Sequence, residues 1–311
     1  MVCHKPLQAS NKDGVIQFSN AKAKLFYEHG YTMGELKELD SEHVCIPCGQ
    51  CLGCRVDYGK EWASRIMHEA ETHEENCFIT LTYANEYLPP GGTLVKADFQ
   101  KFMKRLREYL SRTEGTKIRY FVAGEYGESV GQRPHYHAII FGWEPKDKRP
   151  VFRGRKEPNY ISEVLSKLWP YGMHDVGTVT AKSAGYVASY VLKKVKGKLA
   201  KDYYGGRQPE YACMSRDGAI GKQWILTNMK DVFNKYTDFI VVDTKKFKIP
   251  RIYNKIYSDM FPEKYLEIKE KRELKALKIN KDTSAKKLSD KDKNLKSALS
   301  IKSKTLHSKV A

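Results

Sequence analysis

The stretch RPHYHAIIFG, residues 133–142, opens with two histidines bracketing one tyrosine on a run that otherwise reads as a buried strand. Successive strand side chains face opposite ways, so His135 and His137 share one face about 7 Å apart while Tyr136 points to the other. Two imidazoles placed so can share one cation, although paired histidines also occur as satisfied core or surface residues. Upstream, Glu125 ends the apolar run IRYFVAGE. If residues 126–134 form a hairpin loop, Glu125 falls opposite His135, and a carboxylate and two imidazoles converge on one sheet face. That set would hold a metal ion through three ligands and leave positions open for a substrate oxygen.

A second group lies in AGYVASYVLKKV, residues 184–195, which reads as a helix. Tyr186 and Tyr190 are four apart, which puts them on one helical face, and Lys193 and Lys194 extend that face by about one turn. Tyrosines at this spacing are ordinarily core packing. Here each phenol would sit beside ammonium groups. A phenol has a pKa near 10, so only about one in a thousand is ionised at neutral pH without help, and a neighbouring ammonium such as Lys193 favours the phenolate.

The elements that must position these residues follow from periodicity. CFITLTY (77–83), IRYFVAGE (118–125), PHYHAIIFG (134–142) and HDVGTVT (174–180) read as strands. ADFQKFMKRLREYL (97–110) carries Phe99, Phe102, Met103, Leu106 and Leu110 on one helical face, with Asp98 the expected N-cap, and ISEVLSKLW (161–169) is a further helix. A helix is also expected from Tyr58 to about Thr72. The order strand, helix, strand, strand, helix, strand, helix predicts an α+β fold, an antiparallel sheet with helices mainly on one face, close to the ferredoxin-like plan. Three stretches are expected: a Cys-rich N-terminal region with the first helix (1–75), the core (76–230), and a C-terminal region (231–311) ending in a Lys-rich, flexible tail.

The chain has 311 residues with 55 Lys plus Arg against 37 Asp plus Glu, a net charge of +18. Such an excess favours a polyanionic partner, nucleic acid first and a membrane surface second. No apolar run has the length of a membrane span, and MVCHKPLQ lacks a signal-peptide core, so a cytoplasmic location is expected. From Lys264 to Ala311 fifteen basic and six acidic residues leave +9, half of the total. This segment reads either as a solvated tail or as an arm that raises DNA affinity without reading sequence. Four of the seven cysteines, Cys45, Cys48, Cys51 and Cys54, fall at three-residue intervals. In a reducing compartment such a cluster binds zinc or an iron–sulfur cluster, or stays as free thiols; Arg55 stands where ferredoxin-type runs have proline.

The strand FITLTY, the strand carrying His-Tyr-His and the helix carrying Tyr-x-x-x-Tyr, in that order, resemble the three motifs of the HUH endonucleases with two tyrosines. More closely, PCGQCLGCR, AGEYG with Ala123 in place of a cysteine, RPHYHAIIFG, LWPYG, GYVASYVLKK and MSRDGAIG are similar to landmarks of the rolling-circle replication initiators of microvirus phages, gokushovirus type. The resemblance covers about residues 3–225. MSRDGAIG departs from it where relatives tend to have a proline.

The resemblance implies that His135, His137 and Glu125 hold Mg²⁺ or Mn²⁺, and that Tyr186 or Tyr190 attacks a phosphodiester of the phage origin. The products would be a 5′-phosphotyrosine and a 3′-OH that primes a host polymerase. The second tyrosine allows the displaced strand to be closed into a circle, with a host helicase expected alongside. It further implies that Cys3, Cys48, Cys51 and Cys54 bind structural zinc, with Cys45 as reserve ligand. Lys193 is the expected catalytic cation, Lys194 and Arg133 are expected DNA contacts, and the bacterial host cytoplasm is the expected location. A plasmid relaxase or transposase of the same fold, and a non-catalytic zinc-stabilised DNA-binding regulator, are the competing readings.

Overall fold

The computed structural model describes residues 3–12, 15–22, 43–127, 132–152, 158–189, 195, 199–235, 239–278 and 285–308. The chain divides into two compact units, Met1–Tyr58 with Phe261–Ala311, and Gly59–Met260. The Cys-rich segment and the C-terminal stretch thus fall in one unit, where the sequence suggested separate regions.

In the first unit β1 (Leu7–Lys12), β2 (Val15–Lys22) and β3 (His43–Ile46) form an antiparallel sheet in the order β2-β1-β3. Sequence reading missed these strands because LQASNK and VIQFSNAK do not alternate cleanly between apolar and polar residues, and backbone pairing carries no side-chain signature. Helix α1 (Leu52–Ala70) follows, beginning six residues before the expected start at Tyr58.

The second unit is built on a seven-stranded sheet. Its strands are β4 (Asn76–Tyr83), β5 (Arg119–Tyr126), β6 (Pro134–Phe141), β7 (Arg149–Val151), β8 (Asn159–Ile161), β9 (Gly172–Thr178) and β10 (Tyr211–Met214). The spatial order is β10-β5-β6-β4-β9-β8-β7, and every pairing is antiparallel. β4 and β6 are therefore central, which is the α+β plan expected.

Helices α2 (Lys96–Thr113) and α3 (Glu163–Leu168) cover one face. Phe99, Phe102, Met103, Leu106 and Leu110, the predicted stripe, are all buried there against Leu81, Tyr136, Ile140 and Trp169. The cap differs from expectation. Val95 precedes the helix with no side-chain cap, and Asp98 lies within the first turn, where it accepts a hydrogen bond from the Tyr83 hydroxyl at 2.9 Å. Tyr83 is 2.8 Å from the Tyr136 hydroxyl, which also donates to the Val95 carbonyl at 2.8 Å. The tyrosine between the two histidines is thus a clamp for the start of α2.

The opposite face takes α1 and α4 (Ala181–Ser189) over a smaller apolar set of Trp62, Ile66, Phe121, Ile139, Phe141, Ala184, Val187 and Ala188. Farther along the chain come α5 (Leu199–Tyr204), α6 (Lys222–Lys230), the hairpin of β11 (Phe239–Val242) and β12 (Lys245–Lys248), and α7 (Arg251–Met260).

In the first unit, α8 (Pro262–Lys278) and α9 (Ala285–Ser308) make the expected tail helical over its described residues. Leu288 of α9 is buried, and Asp292 takes a hydrogen bond from His4. A few apolar residues at helical spacing suffice to seat a Lys-rich helix whose composition alone reads as unstructured. Among the described residues no helix is long and apolar enough to cross a membrane.

Candidate functional site

The face of the sheet away from α2 carries the polar group. The β5–β6 register places Glu125 opposite His135 and Ala123 opposite His137, and the β4–β6 register places Thr82 opposite His135 and Thr80 opposite His137. Because side chains alternate, these residues share one face, and Glu125 follows Phe121 and Ala123 along it. The Nε2 atoms of His135 and His137 lie 2.7 and 3.1 Å from Oε1 of Glu125, and the two rings are 4.8 Å apart between centroids.

Burial pushes the Glu125 carboxyl upward. Hydrogen bonds from His135 and then His137, with their charge, outweigh it and bring the carboxyl down to about 2. The site is therefore a carboxylate beside two imidazoles, with one ligand atom from each within 4.8 Å of the others.

The second nitrogen of each histidine is engaged. Nδ1 of His135 is 3.0 Å from the Arg133 carbonyl, which can only accept, so Nδ1 carries the proton and Nε2 is the atom turned to the site. Nδ1 of His137 is 2.9 Å from the Thr80 hydroxyl. Histidines that bind metals are commonly held in this way, one nitrogen tied to a carbonyl or hydroxyl and the other presented. The donor set fits a divalent cation, with two neutral imidazoles and one ionised carboxylate.

Tyr186 comes from α4. Its helix is started by a reciprocal pair in which the Thr180 N–H donates to Ser183 Oγ at 2.8 Å and the Ser183 N–H donates to Thr180 Oγ1 at 3.1 Å. Ala184, Val187 and Ala188 bury the inner face, which leaves Tyr186 on the side toward the histidines. Its ring meets His137 edge to face at 5.1 Å and Phe78 at 6.4 Å, while 47% of the residue stays exposed. Phe78 in turn stacks nearly parallel on His137 at 5.7 Å. A tyrosine used only for packing would be buried like its neighbours Val187 and Ala188; this one borders both the cluster and solvent.

Tyr190, Lys193 and Lys194 lie outside the described residues. Arg133 is not an open cation: its guanidinium donates to the Tyr83 carbonyl at 2.6 Å and to Asn85, holding the end of β4 against the hairpin. Thr80, Phe78 and Asp175 were not singled out from the sequence. Asp175 pairs with Thr80 across β9 and so shares the site face. No local pattern marks these three residues; only strand order brings them beside histidines far away in the chain.

In the other unit the sulfurs of Cys3, Cys48, Cys51 and Cys54 also converge, all within 4.8 Å of one another, a group that could hold a metal ion. Cys45, the reserve ligand, is on β3 opposite Gln8.

A sheet face with Glu, His and His beneath a helical tyrosine matches the motif order of the replication initiators named above, and comparison with known proteins agrees. The family model for the replication-associated protein ORF2 group matches residues 76–195, from β4 to beyond α4. Replication-associated protein VP4 of Bdellovibrio phage phiMH2K is 34% identical over 286 residues, covering 90% of this chain and 84% of that one. Replication-associated protein ORF2 of Spiroplasma virus 4 is 32% identical over 290 residues, covering 88% and 86%. No solved structure matches. The chain belongs to the family of phage replication-associated proteins, of the microvirus rolling-circle type.

Proposed function

We propose that this protein starts rolling-circle replication of a phage genome in its bacterial host by nicking one strand of the double-stranded origin and later rejoining the displaced strand. The observation that carries this reading is the Tyr186 ring set 5.1 Å from His137, above a carboxylate and two imidazoles. A Mg²⁺ or Mn²⁺ ion held by Glu125, His135 and His137 would polarise the scissile phosphodiester and offset charge on its oxygens.

The chain's own residues do the rest. The Tyr186 oxygen attacks phosphorus, the P–O3′ bond breaks, and the phenolic proton leaves to solvent as the 3′ oxygen gains one. The strand is left with a 5′-phosphotyrosine and a free 3′-OH for a polymerase. Because the phosphoester is kept and not hydrolysed, the 3′-OH formed by a second cut can attack it and close a circle with no nucleotide cofactor. Tyr190 supplies the second nucleophile in this scheme, and Lys193 and Lys194 the cationic side of the pocket. Thr80 and the Arg133 carbonyl fix the imidazoles so that both Nε2 atoms face the same point.

The test uses supercoiled plasmid carrying the cognate origin, with and without Mg²⁺ or Mn²⁺. Open circles with protein joined to the 5′ end, only with cation, are expected. Cation-dependent nicks whose 5′ ends carry no protein would overturn the tyrosine mechanism.

Two further outcomes follow from the packing. Thr80→Val keeps the shape and removes the hydroxyl at Nδ1 of His137, so Mn²⁺ affinity by titration calorimetry should fall about 10- to 100-fold. On α9, Lys286, Lys291 and Lys293 are exposed. Replacing all three with Gln should lower nonspecific DNA affinity and reduce the log–log salt slope by up to about 3, since each phosphate contact contributes about 0.9. The cleavage position should not move.

A further inference from the structure

Cys3 lies far in sequence from the run Cys48, Cys51 and Cys54, yet its sulfur is 3.6 Å from that of Cys48 and 3.8 Å from that of Cys51. A tetrahedral zinc ion with Zn–S bonds of about 2.3 Å separates its sulfurs by about 3.8 Å. A four-iron cluster binds each thiolate on a different iron and so spreads the sulfurs farther than this group allows.

The backbone is arranged for thiolates. The Cys48 N–H points to the Cys3 sulfur at 3.3 Å, the Cys51 N–H to that of Cys48 at 3.2 Å, and the His4 N–H to that of Cys51 at 3.3 Å. Gly49, at φ 68°, turns the chain between Cys48 and Cys51 in a conformation that residues with a Cβ rarely adopt. Cys51 immediately precedes α1 and Cys54 lies in its first turn, where the helix dipole favours negative sulfur.

One residue beyond Cys3, the His4 ring points the other way. It is buried, and its Nδ1 is 2.8 Å from Oδ1 of Asp292 on α9. Asp292 also meets Lys296 at 2.8 Å, and Leu288, one turn earlier on the same helix, is buried. His4 therefore faces the sulfur group through its backbone and the Lys-rich helix through its ring.

We propose that Cys3, Cys48, Cys51 and Cys54 hold one structural zinc ion, and that His4 uses this anchored position to dock the Lys-rich helix α9. The ion staples the N-terminal segment to the start of α1, and the stapled segment presents the His4 ring to Asp292. Loss of the ion releases both.

The full-length chain is used throughout, in a His135→Ala, His137→Ala background so that the sheet site contributes no metal. Elemental analysis should find one zinc per chain. Cobalt exchanged into the protein should give the thiolate-to-metal absorption bands of a tetrahedral sulfur site, and Cys3→Ser should lose both. If Cys3→Ser does not fold, chelation of the zinc form gives the same comparison without a mutation.

His4→Ala should keep its zinc while amide exchange over residues 285–308 speeds up about tenfold. Zinc-free chains with four titratable thiols, a mononuclear iron, or disulfides within the group would overturn the metal assignment. Unchanged exchange in a zinc-loaded His4→Ala variant would overturn the coupling. None of these measurements involves DNA, so their failure is separate from failure of the nicking reading.

Discussion

Replacing both His135 and His137 with Ala is expected to reduce origin nicking by at least about 10³-fold while changing DNA affinity by no more than about twofold. The asymmetry follows from where the charges are. Affinity for a polyanion comes from the Lys and Arg surplus spread over the chain, whereas the two histidines are partly or fully buried in a cluster with Glu125. Removing them strips two of the three donors from a cation without touching the basic surface.

The variant also removes the hydrogen bonds that hold the Glu125 carboxyl down to about 2, leaving it buried and no longer paired with them. A carboxyl with a folded value below its ordinary one, about 4.3, stabilises the fold above that pH, and the contribution fades as pH falls toward about 2. The double variant should therefore lose stability at neutral pH and show a weaker dependence on acid than the parent, read by urea unfolding at several pH values. Nicking at the parent rate by the double variant would remove the cluster from the mechanism.

Tyr186→Phe and Tyr190→Phe are each expected to leave some nicking, and the pair together to abolish it, a loss on the order of 10³-fold or more. Circle closure separates the single variants from the parent. It needs a free phenol while the other is joined to DNA, so each single variant should accumulate protein-linked linear strands and release few closed circles. Phenylalanine retains the ring that meets His137 and Phe78, so an unchanged melting temperature distinguishes lost chemistry from lost packing. If Tyr186→Phe closes circles as well as the parent, the ring beside His137 is a packing element.

Much of this site was legible in the sequence because its main features are local. Alternation along PHYHAIIF is enough to put His135 and His137 on one face and Tyr136 on the other, and a short turn-rich loop after AGEY is enough to set Glu125 against His135. The α2 stripe is likewise a property of neighbouring residues, and its five predicted positions are the five buried ones.

What only the tertiary structure decided depends on strand order and on contacts between distant segments. Thr80 can orient His137 only because β4 lies beside β6, and Phe78 can stack there only by the same register. Val95, not Asp98, precedes α2 because the Asp98 carboxylate is drawn to the Tyr83 hydroxyl across the core. The polar strands β1 to β3 exist through backbone pairing that no side-chain period announces, and α9 is seated by His4 at the other end of the chain. A sequence period records which way a side chain points relative to its neighbours; which distant side chain it meets is settled when the sheet is assembled.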